Sequence, residues 1–302
     1  MPIVQYEGWP NCVKLENESI ELVVTTDVGP RIVRFAFKGG TNLLKQFPDQ
    51  MGQTGGEDWR IYGGHRFWHA PEHPVRTYYP DNTPVGFVEK ALSVKLTQET
   101  EPTTGMKKEL VISLDAKTDR VRLTHRLVNE NLWEVEAACW ALTVMAPGGR
   151  AIIPHEPYRS HTEYMLPARP LVLWHYSDMS DPRFTWGKKY IQVRQDPAAT
   201  TKNKVGLLNK QGWAAYCLEG NVFLKCYPCI DGAPHVDYGC NTECYVDPDM
   251  IEVESLGPLT AIPAGGSIEH TEDWWLFAAE IGPDDPAIDK TLMPLFEQTA
   301  RG

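Results

Sequence analysis

Hydrophobic and polar residues alternate in short runs along most of the chain. Residues 31–37, 92–97, 109–114 and 120–128 follow this pattern most cleanly. Alternation with a period of two is typical of a β-strand that buries one face. Further strands are predicted at residues 19–26, 134–145, 190–193, 213–217, 222–226, 250–255 and 273–278. Turn signals from 24 glycines and 24 prolines separate these runs.

Helical periodicity is concentrated near the C-terminal end. Pro286 could begin a helix over residues 287–299, although Pro294 would kink or end it. One face of that helix would carry Ile288, Leu292, Leu295 and Phe296. Many short strands with little helix predict an all-β fold, a large antiparallel β-sandwich, rather than βαβ units. We expect residues 1–302 to form a single domain, because sandwiches reach this size as one unit.

Composition narrows the class of protein. Of 302 residues, 42% are hydrophobic and 23% are charged, as in ordinary soluble proteins. The net charge of −11 and a pI near 5.3 argue against nucleic acid and anionic membranes as partners. No apolar run is long enough to span a membrane, and the first residues do not read as a signal peptide. Seven scattered cysteines are expected to be free thiols in the cytoplasm.

The densest group of chemically active residues lies at 61–73, which reads IYGGHRFWHAPEH. Gly63-Gly64 and Pro71 bound this stretch, so we expect a short extended or looped segment. If the segment is extended, His65, Phe67 and His69 share one face, and Arg66 and Trp68 share the other.

These residue types suit a ligand-binding site. His65, His69 and Glu72 could move protons, Arg66 could grip a carboxylate or a hydroxyl pair, and Trp68 with Trp59 could stack on a ring. The alternative is a packed loop whose histidines bond to backbone carbonyls. A metal site is a further alternative, with ligands from His65, His69, Glu72 and His73.

Two other segments carry candidate chemistry. His155 and Glu156 lie between prolines and could belong to a binding loop or to the surface. Cys226-x2-Cys229 followed by Cys240-x3-Cys244 could bind structural zinc, or the thiols could be small apolar fillers. The turn-rich segment between these cysteine pairs and just beyond contains Glu243, which could form another wall of a groove. Trp213, Trp274 and Trp275 are interpreted as core.

Several motifs together resemble the galactose-mutarotase-like superfamily, which includes the aldose 1-epimerases. Thr26-Asp27-Val28-Gly29-Pro30-Arg31-Ile32, leading to Gly39-Gly40-Thr41-Asn42-Leu43-Leu44, looks like the first hairpin of that family. The closing strands of the family are similar to residues 250–259 and 263–274. The resemblance spans nearly the whole chain. It implies a large twisted antiparallel sandwich with a carbohydrate groove across one face.

The resemblance also implies a chemistry, the opening of a sugar ring by a glutamate base and a histidine acid without a cofactor. Glu254 stands at the position of the glutamate, and Glu252 is its rival on the same strand face. The strand that carries the family's histidine corresponds to residues 136–143, where Trp140 stands at about that position. The acid would then come from His65, His69 or His155.

The sequence therefore predicts a carbohydrate-active protein, an isomerase similar to aldose 1-epimerases, that binds a sugar or oligosaccharide. Glu254 and one of His65, His69 and His155 would be catalytic. The substrate would contact Arg66, Trp68, Glu72, Glu252, Glu243 and Trp59. No metal or other cofactor is expected. Two alternatives are a carbohydrate-binding protein without catalysis and a metal-dependent hydrolase or lyase.

Overall fold

The computed structural model describes residues 3–300, which form β-strands and one helix. The strands of the first half are β1 (Ile3–Tyr6), β2 (Trp9–Glu16), β3 (Ile20–Thr25), β4 (Arg31–Phe37), β5 (His65–Ala70), β6 (Gly86–Lys90), β7 (Ser93–Thr97), β8 (Met106–Leu114), β9 (Arg120–Asn129) and β10 (Val135–Met145). The later elements are β11 (Arg150–Pro154), β12 (Leu171–Leu173), β13 (Phe184–Trp186), β14 (Tyr190–Arg194), β15 (Asn203–Leu207), β16 (Trp213–Leu218), β17 (Asn221–Cys226), β18 (Thr242–Val246), β19 (Ile251–Leu256), β20 (Thr260–Ile262), β21 (Ser267–Ala278) and the helix α1 (Asp285–Thr299).

The strands form two large antiparallel sheets. The first sheet has eleven strands in the order β1-β2-β3-β4-β5-β10-β19-β18-β15-β12, with β20 beside β10. The second sheet has ten strands in the order β13-β14-β11-β16-β17-β21-β9-β8-β7-β6. Alternation explains this arrangement, because each long strand has one face of apolar residues to bury.

The main core lies between the two sheets. Phe35 on β4 meets Phe223 on β17 and Trp274 on β21, with ring centroids 5.8 and 5.6 Å apart. Residues from both sheets continue this cluster, including Leu22, Leu123 and Val253, all fully buried. Burial of each large apolar side chain contributes roughly 1.5–3 kcal/mol to folding, so this shared face holds the sheets together. The all-β sandwich prediction is confirmed.

The helix α1 packs on the outer face of the second sheet. Asp284 caps its start by accepting a hydrogen bond from the backbone N–H of Ala287 at 2.9 Å, and Pro286 lies in the first turn. Ile288 and Leu292 are buried in a cluster with Trp213, and Leu295 and Phe296 pack against it. The predicted helix and its apolar face are confirmed. Pro294 lies inside the helix without ending it.

Each run predicted as a strand from alternation forms a strand. The prediction that residues 61–73 are extended or looped is confirmed for the extended alternative at His65–Ala70. This segment is a central strand and not a surface loop, because β4 and β10 flank it and all six residues are buried. The expectation that Glu243 lies in a turn is wrong, since it lies within β18 and pairs in register with Glu254 on β19.

Candidate functional site

Two consecutive glycines immediately precede β5. Gly63 and Gly64 have positive φ values of 98° and 71°. A Cβ atom on either residue would stand 2.1 Å from a backbone carbonyl oxygen, that of Lys45 or Ile32. Only glycine tolerates such a close approach in this conformation. The strand therefore begins at His65, and its side chains alternate between the two faces of the first sheet.

The outward face of β5 forms the floor of a groove with its neighbours. Arg66 and Trp68 pair in register with Leu142 and Trp140 on β10, which in turn pair with Glu254 and Leu256 on β19. The same row continues across the sheet through Glu243 and Tyr245 on β18 to Lys204 on β15. These side chains point away from the second sheet, because alternate residues such as His65 contact it.

A cavity of about 510 Å³ lies over this row. Aromatic side chains supply most of its wall: Phe47, Trp59, Trp68, Tyr78, Trp140, Trp174, Tyr176 and Tyr245. The charged residues that line it are Arg66, Glu72, Lys202, Lys204, Asp247, Asp249 and Glu252. Its size is within the range of small-molecule sites.

Arg66 is held against both charge and rings. Its Nη1 donates to Glu252 Oε1 at 2.6 Å, and both side chains are nearly buried. The guanidinium lies over the Trp68 ring at 4.3 Å and the Trp59 ring at 5.7 Å from their centroids. The Trp59 and Trp68 rings are themselves 5.5 Å apart. This packing fixes the donor fork and the two tryptophans at one end of the groove.

A second ionic group lies under the other part of the groove. Lys204 Nζ stands 2.6 Å from Glu243 Oε2 and 3.1 Å from Glu254 Oε2. The Trp140 indole N–H also donates to Glu254 Oε2, at 2.8 Å. Glu243 and Glu254 are fully buried, so two carboxyl groups share one ammonium away from water.

Burial changes the proton affinity of this group. Burial, together with the charge of Glu254, raises the pKa of Glu243 well above its ordinary value. Burial and the charge of Glu252 also raise the pKa of Glu254. Burial alone would lower the pKa of Lys204, but the two carboxylates outweigh it and raise that pKa. A fully buried site with two carboxylates and one ammonium is costly, which is why the pKa of each carboxyl group is raised.

The structure gathers part of the predicted site. Arg66, Trp68, Glu72, Glu252 and Trp59 all line the cavity. Glu72 accepts a hydrogen bond from the Tyr78 hydroxyl at 2.6 Å. Glu254 and Glu243 do not line it, since they lie beneath Lys204 and Trp140. Of the two carboxylates proposed as base, Glu252 is therefore the one that reaches the cavity.

The side chains on the inward face of β5 lie in a different environment, between the two sheets. His65 Nε2 lies 2.7 Å from His125 Nε2, between the two sheets, and both rings are fully buried. His125 Nδ1 donates to the His270 carbonyl oxygen at 3.1 Å, which leaves its Nε2 as an acceptor. His65 Nε2 then donates, and its Nδ1 accepts from the Thr143 hydroxyl at 2.9 Å. One set of neutral tautomers satisfies every ring nitrogen of this pair.

Glu272 is the charged centre of this inter-sheet cluster. Its carboxylate accepts from Lys225 Nζ at 2.8 Å, from the Trp274 indole at 2.8 Å and from the Ser255 hydroxyl. Burial would raise the pKa of Glu272, but Lys225 and the neighbouring histidines lower it. Burial lowers the pKa of His65 and His125, and that of His270 to about 3.

Within residues 3–300, His65, His125 and Glu272 form the one group whose ligand atoms come within metal-binding reach, 4.8 Å of one another. The two Nε2 atoms are closer than the roughly 3.3 Å that separates nitrogen ligands at about 2.0–2.1 Å from a tetrahedral zinc ion. Glu272 is also paired with the Lys225 ammonium. The geometry fits a hydrogen-bonded network better than a cation site.

The proposed metal set at residues 65–73 does not converge. His65 bonds to His125, while His69 lies 3.7 Å from Glu101, which pairs with Lys108. Glu72 is at the groove, and His73 accepts from backbone N–H groups of its own turn. The alternation of β5 separates these groups, so this alternative is wrong. Neither His65 nor His69 lines the cavity.

His155 lies elsewhere, beyond β11 in the second sheet. Its backbone N–H donates to the Lys189 carbonyl oxygen at 2.7 Å. Burial lowers the pKa of its imidazole. His155 does not line the groove, although the next residue, Glu156, lines a separate surface cavity with Arg159, Arg169 and Lys210. The structure thus brings none of the three candidate histidines to Glu254.

The four cysteines suggested for zinc also lie apart. All seven cysteines are free thiols. Cys226 on β17 contacts the hydroxyl of Thr299 in α1, while Cys244 on β18 faces the core between the sheets. They belong to different sheets, and no three of the four form a metal-ligand group within residues 3–300. The interpretation as small apolar fillers fits Cys240 and Cys244, which are buried, while Cys226 and Cys229 are half-buried.

Sequence reasoning missed Lys204, Tyr78, Trp174, Tyr176 and Tyr245. Lys204 lies in a short strand that carries little apolar alternation, Tyr78 and Tyr176 lie in turns, and Tyr245 lies in the short strand β18. No local signal marks these residues as neighbours, because the sheet order joins strands distant in sequence. His125, His270 and Glu272 did carry a signal, since each occupies an inward position of an alternating strand.

Comparison with solved structures identifies the fold. A galactose mutarotase-like protein from Lactobacillus casei matches 88% of this chain and 100% of its own, with TM-score 0.55 and 10% identity. A galactose mutarotase related enzyme from Lactobacillus acidophilus matches 89% of this chain and 98% of its own, with TM-score 0.52 and 7% identity. A TPR-domain containing protein from Parabacteroides distasonis matches 90% of this chain but 48% of its own, with TM-score 0.61 and 14% identity.

The chain therefore has the fold of the galactose-mutarotase-like β-sandwich proteins, and the resemblance of its motifs to that group is confirmed at the level of fold. No protein-family model and no curated protein matches the sequence. Within residues 3–300 no helix is long and apolar enough to cross a membrane.

Proposed function

We propose that the groove of the first sheet binds a sugar or sugar derivative. The observation that carries the proposal is the lining of the 510 Å³ cavity, in which aromatic rings stand beside hydrogen-bonding groups held in fixed positions. Sugars present apolar C–H faces and a rim of hydroxyl groups. Tryptophan and tyrosine rings suit the first, and a fixed guanidinium, ammonium and carboxylates suit the second.

A titration of tryptophan fluorescence with a panel of neutral, acidic and phosphorylated sugars tests this proposal. Trp59, Trp68, Trp140 and Trp174 line the cavity, so an occupied groove should change the emission. Calorimetry with the same sugars gives the affinity. The proposal fails if no sugar at millimolar concentration changes the fluorescence or releases heat.

A second candidate function is anomer interconversion, an isomerase reaction similar to that of aldose 1-epimerases. The observation that favours it is the row of carboxyl groups, Glu252, Glu254 and Glu243, with Glu252 at the cavity. Glu252 would take the proton of the anomeric hydroxyl. No histidine lines the cavity within residues 3–300, so the ring oxygen would take its proton from Lys204 or a tyrosine.

Magnetisation-exchange NMR separates the two functions. Binding without faster exchange between α and β anomers supports a binding protein, whereas faster exchange supports the isomerase. Glu252→Gln should then abolish the exchange while leaving binding in place, and Glu254→Gln should slow it less. A larger loss of exchange in Glu254→Gln than in Glu252→Gln would instead favour Glu254 as the base.

The seven free cysteines support the expectation of a reducing compartment, and we infer a cytoplasmic location on that basis. Expression with a C-terminal tag in the source cell, followed by fractionation, tests this location.

A further inference from the structure

Lys204 occupies a position that its sequence does not suggest. Its side chain is 6% exposed, yet it lines the cavity. The ammonium lies between two indoles, 4.9 Å from the Trp140 ring centroid and 4.7 Å from that of Trp174. Glu243 and Glu254 hold it from below at 2.6 and 3.1 Å. A flexible lysine is thereby fixed in one place.

The ammonium has more donors than these contacts use. It carries three N–H bonds; one donates to Glu254 Oε2, and Glu243 Oε2 stands 2.6 Å away as an ion-pair partner. The rings of Trp140 and Trp174 offer no lone pair of comparable strength. Because the residue lines the cavity and its two carboxylates lie beneath, the remaining N–H is available to a ligand in the groove.

We propose that Lys204 donates this hydrogen bond to an oxygen of the bound sugar and so determines which sugars fit. The inference rests on the proposed sugar-binding function of the same groove. Fixing the ammonium in advance reduces the entropy that a free lysine would lose on binding. Lys204 is thus the contact through which the buried glutamate pair influences the ligand.

The charges around Lys204 define the class of acceptor. The Lys204 ammonium together with Glu243 and Glu254 has a net charge of zero if either carboxyl holds a proton, and a net charge below zero if neither does. Such a group offers a hydrogen bond without an excess of positive charge. We therefore expect the acceptor to be a hydroxyl or ring oxygen of an uncharged part of the ligand, rather than a phosphate or carboxylate.

Deoxy analogues of a sugar that binds the wild-type protein provide the test. In the wild-type protein, removal of one particular hydroxyl should weaken binding about tenfold or more, equivalent to about 1.4 kcal/mol. The double variant Lys204→Met with Glu243→Gln removes the ammonium and one buried carboxylate together. In this variant the penalty at that one hydroxyl should vanish, while penalties at the other hydroxyls remain.

The control variant is Lys210→Met, which removes an exposed lysine three residues beyond the end of β15. It should retain every penalty of the wild-type protein. If Lys204 has only a structural role, the double variant should bind all sugars of the panel more weakly by the same factor. That result would overturn the inference. Retention of all penalties in the double variant would overturn it as well.

A measurement on the wild-type protein covers the case in which the double variant does not fold. The ¹⁵N ammonium resonance of Lys204 should shift with the parent sugar and stay unchanged with the matching deoxy sugar. If a sugar binds and the Lys204 resonance does not shift, the proposed role of Lys204 is contradicted, while the proposed sugar-binding function is not. Absence of binding by every sugar contradicts the proposed function, and the inference falls with it.

Discussion

Both faces of β5 carry polar and aromatic side chains, and they differ in what their polar groups contact. On the inward face, His65 belongs to a cluster in which histidines, Lys225 and Glu272 bond to one another. On the outward face, Arg66 bonds to Glu252 through Nη1, while its Nε has no hydrogen-bond partner within residues 3–300. In the same part of the chain Glu254 Oε1 and Trp59 Nε1 likewise lack partners, as does His69 Nε2, which lies on the inward face but outside the His65 cluster.

This difference distinguishes structural polar groups from functional ones within a single strand. Buried polar groups nearly always find partners, and an unpaired one requires an explanation. The inward cluster is closed by its own hydrogen bonds, so its role is to fix the packing of the two sheets. The outward row keeps polar groups without hydrogen-bond partners next to a cavity, and an external ligand can supply those partners.

The largest expected effect comes from opening the inward cluster. Glu272→Gln would leave the Lys225 ammonium buried without its carboxylate, so the free energy of unfolding should fall by about 3–5 kcal/mol. Urea denaturation measures this change. Asp273→Asn is the matched control, because Asp273 is the next residue, points outward and pairs with Arg120 and Arg122, both of which reach solvent.

The control should cost less than about 1 kcal/mol, as exposed ion pairs do. A loss for Glu272→Gln no greater than for Asp273→Asn would contradict the view that the inward cluster is closed and structural.

The next prediction concerns how the free energy of unfolding depends on pH. Groups on the two faces should change it with pH in opposite directions. Burial lowers the pKa of His270 to about 3, below its unfolded value of 6.5. The unfolded chain therefore binds more protons between these values, and stability falls as pH decreases from 6.5. Burial raises the pKa of Glu243 above 4.5, so the folded state holds a proton there and stability falls as pH increases from 4.5.

Urea denaturation at several pH values between 4.5 and 8 checks both signs. His270→Gln should flatten the loss toward acid, and Glu243→Gln should flatten the loss toward alkaline pH. Each change is at most about 1.4 kcal/mol per pH unit. Changes of the same sign in the two variants would show that the two faces do not differ in this way.

A smaller effect is expected in ligand binding from the groove wall. Trp59→Ala removes a half-buried ring that packs on Trp68, and affinity for a bound sugar should fall about tenfold. Trp133→Ala removes another tryptophan, 64% exposed and outside the cavity, and should leave affinity unchanged. Calorimetry of both variants measures the contrast, and equal affinities would argue against a binding groove at Trp59.

The smallest effect should come from His155. It lies outside the groove, just after β11 of the second sheet, so His155→Ala should change sugar affinity by less than about twofold. Isothermal titration with the same sugar is the measurement. A loss comparable to that of Trp59→Ala would restore His155 as a site residue and require a different groove.

Alternation made the sandwich predictable from sequence, because β4 and β9 each expose one face of apolar residues to the core. The strand β5 escaped this signal, since all its residues are buried and both faces carry polar groups. The pairing of Glu243 with Glu254, and of both with Lys204, depends on strand order in the sheet. Strand order joins residues far apart in the chain, and no local pattern encodes it.

The grouping of Arg66, Trp68, Glu72 and Glu252 was predictable in part. Composition of a short segment supplied the first three, and the resemblance of the closing strands supplied Glu252. Whether a histidine faces the groove or the core could not be read from composition. A shift by one residue in a strand reverses its face, so His65 and Arg66 are adjacent in sequence and separated by the sheet.

We claim that the ligand binds on the outward face of the first sheet and not at the inward cluster, and two indole resonances can distinguish these sites. The indole N–H of Trp140 bonds to Glu254 beneath the groove, and that of Trp274 bonds to Glu272 between the sheets. Their resonances in a ¹⁵N NMR spectrum, assigned through Trp140→Phe and Trp274→Phe, report on the two faces separately. Addition of a sugar that binds should shift the Trp140 signal and leave the Trp274 signal in place. A shift of Trp274 without one of Trp140 would contradict the claim.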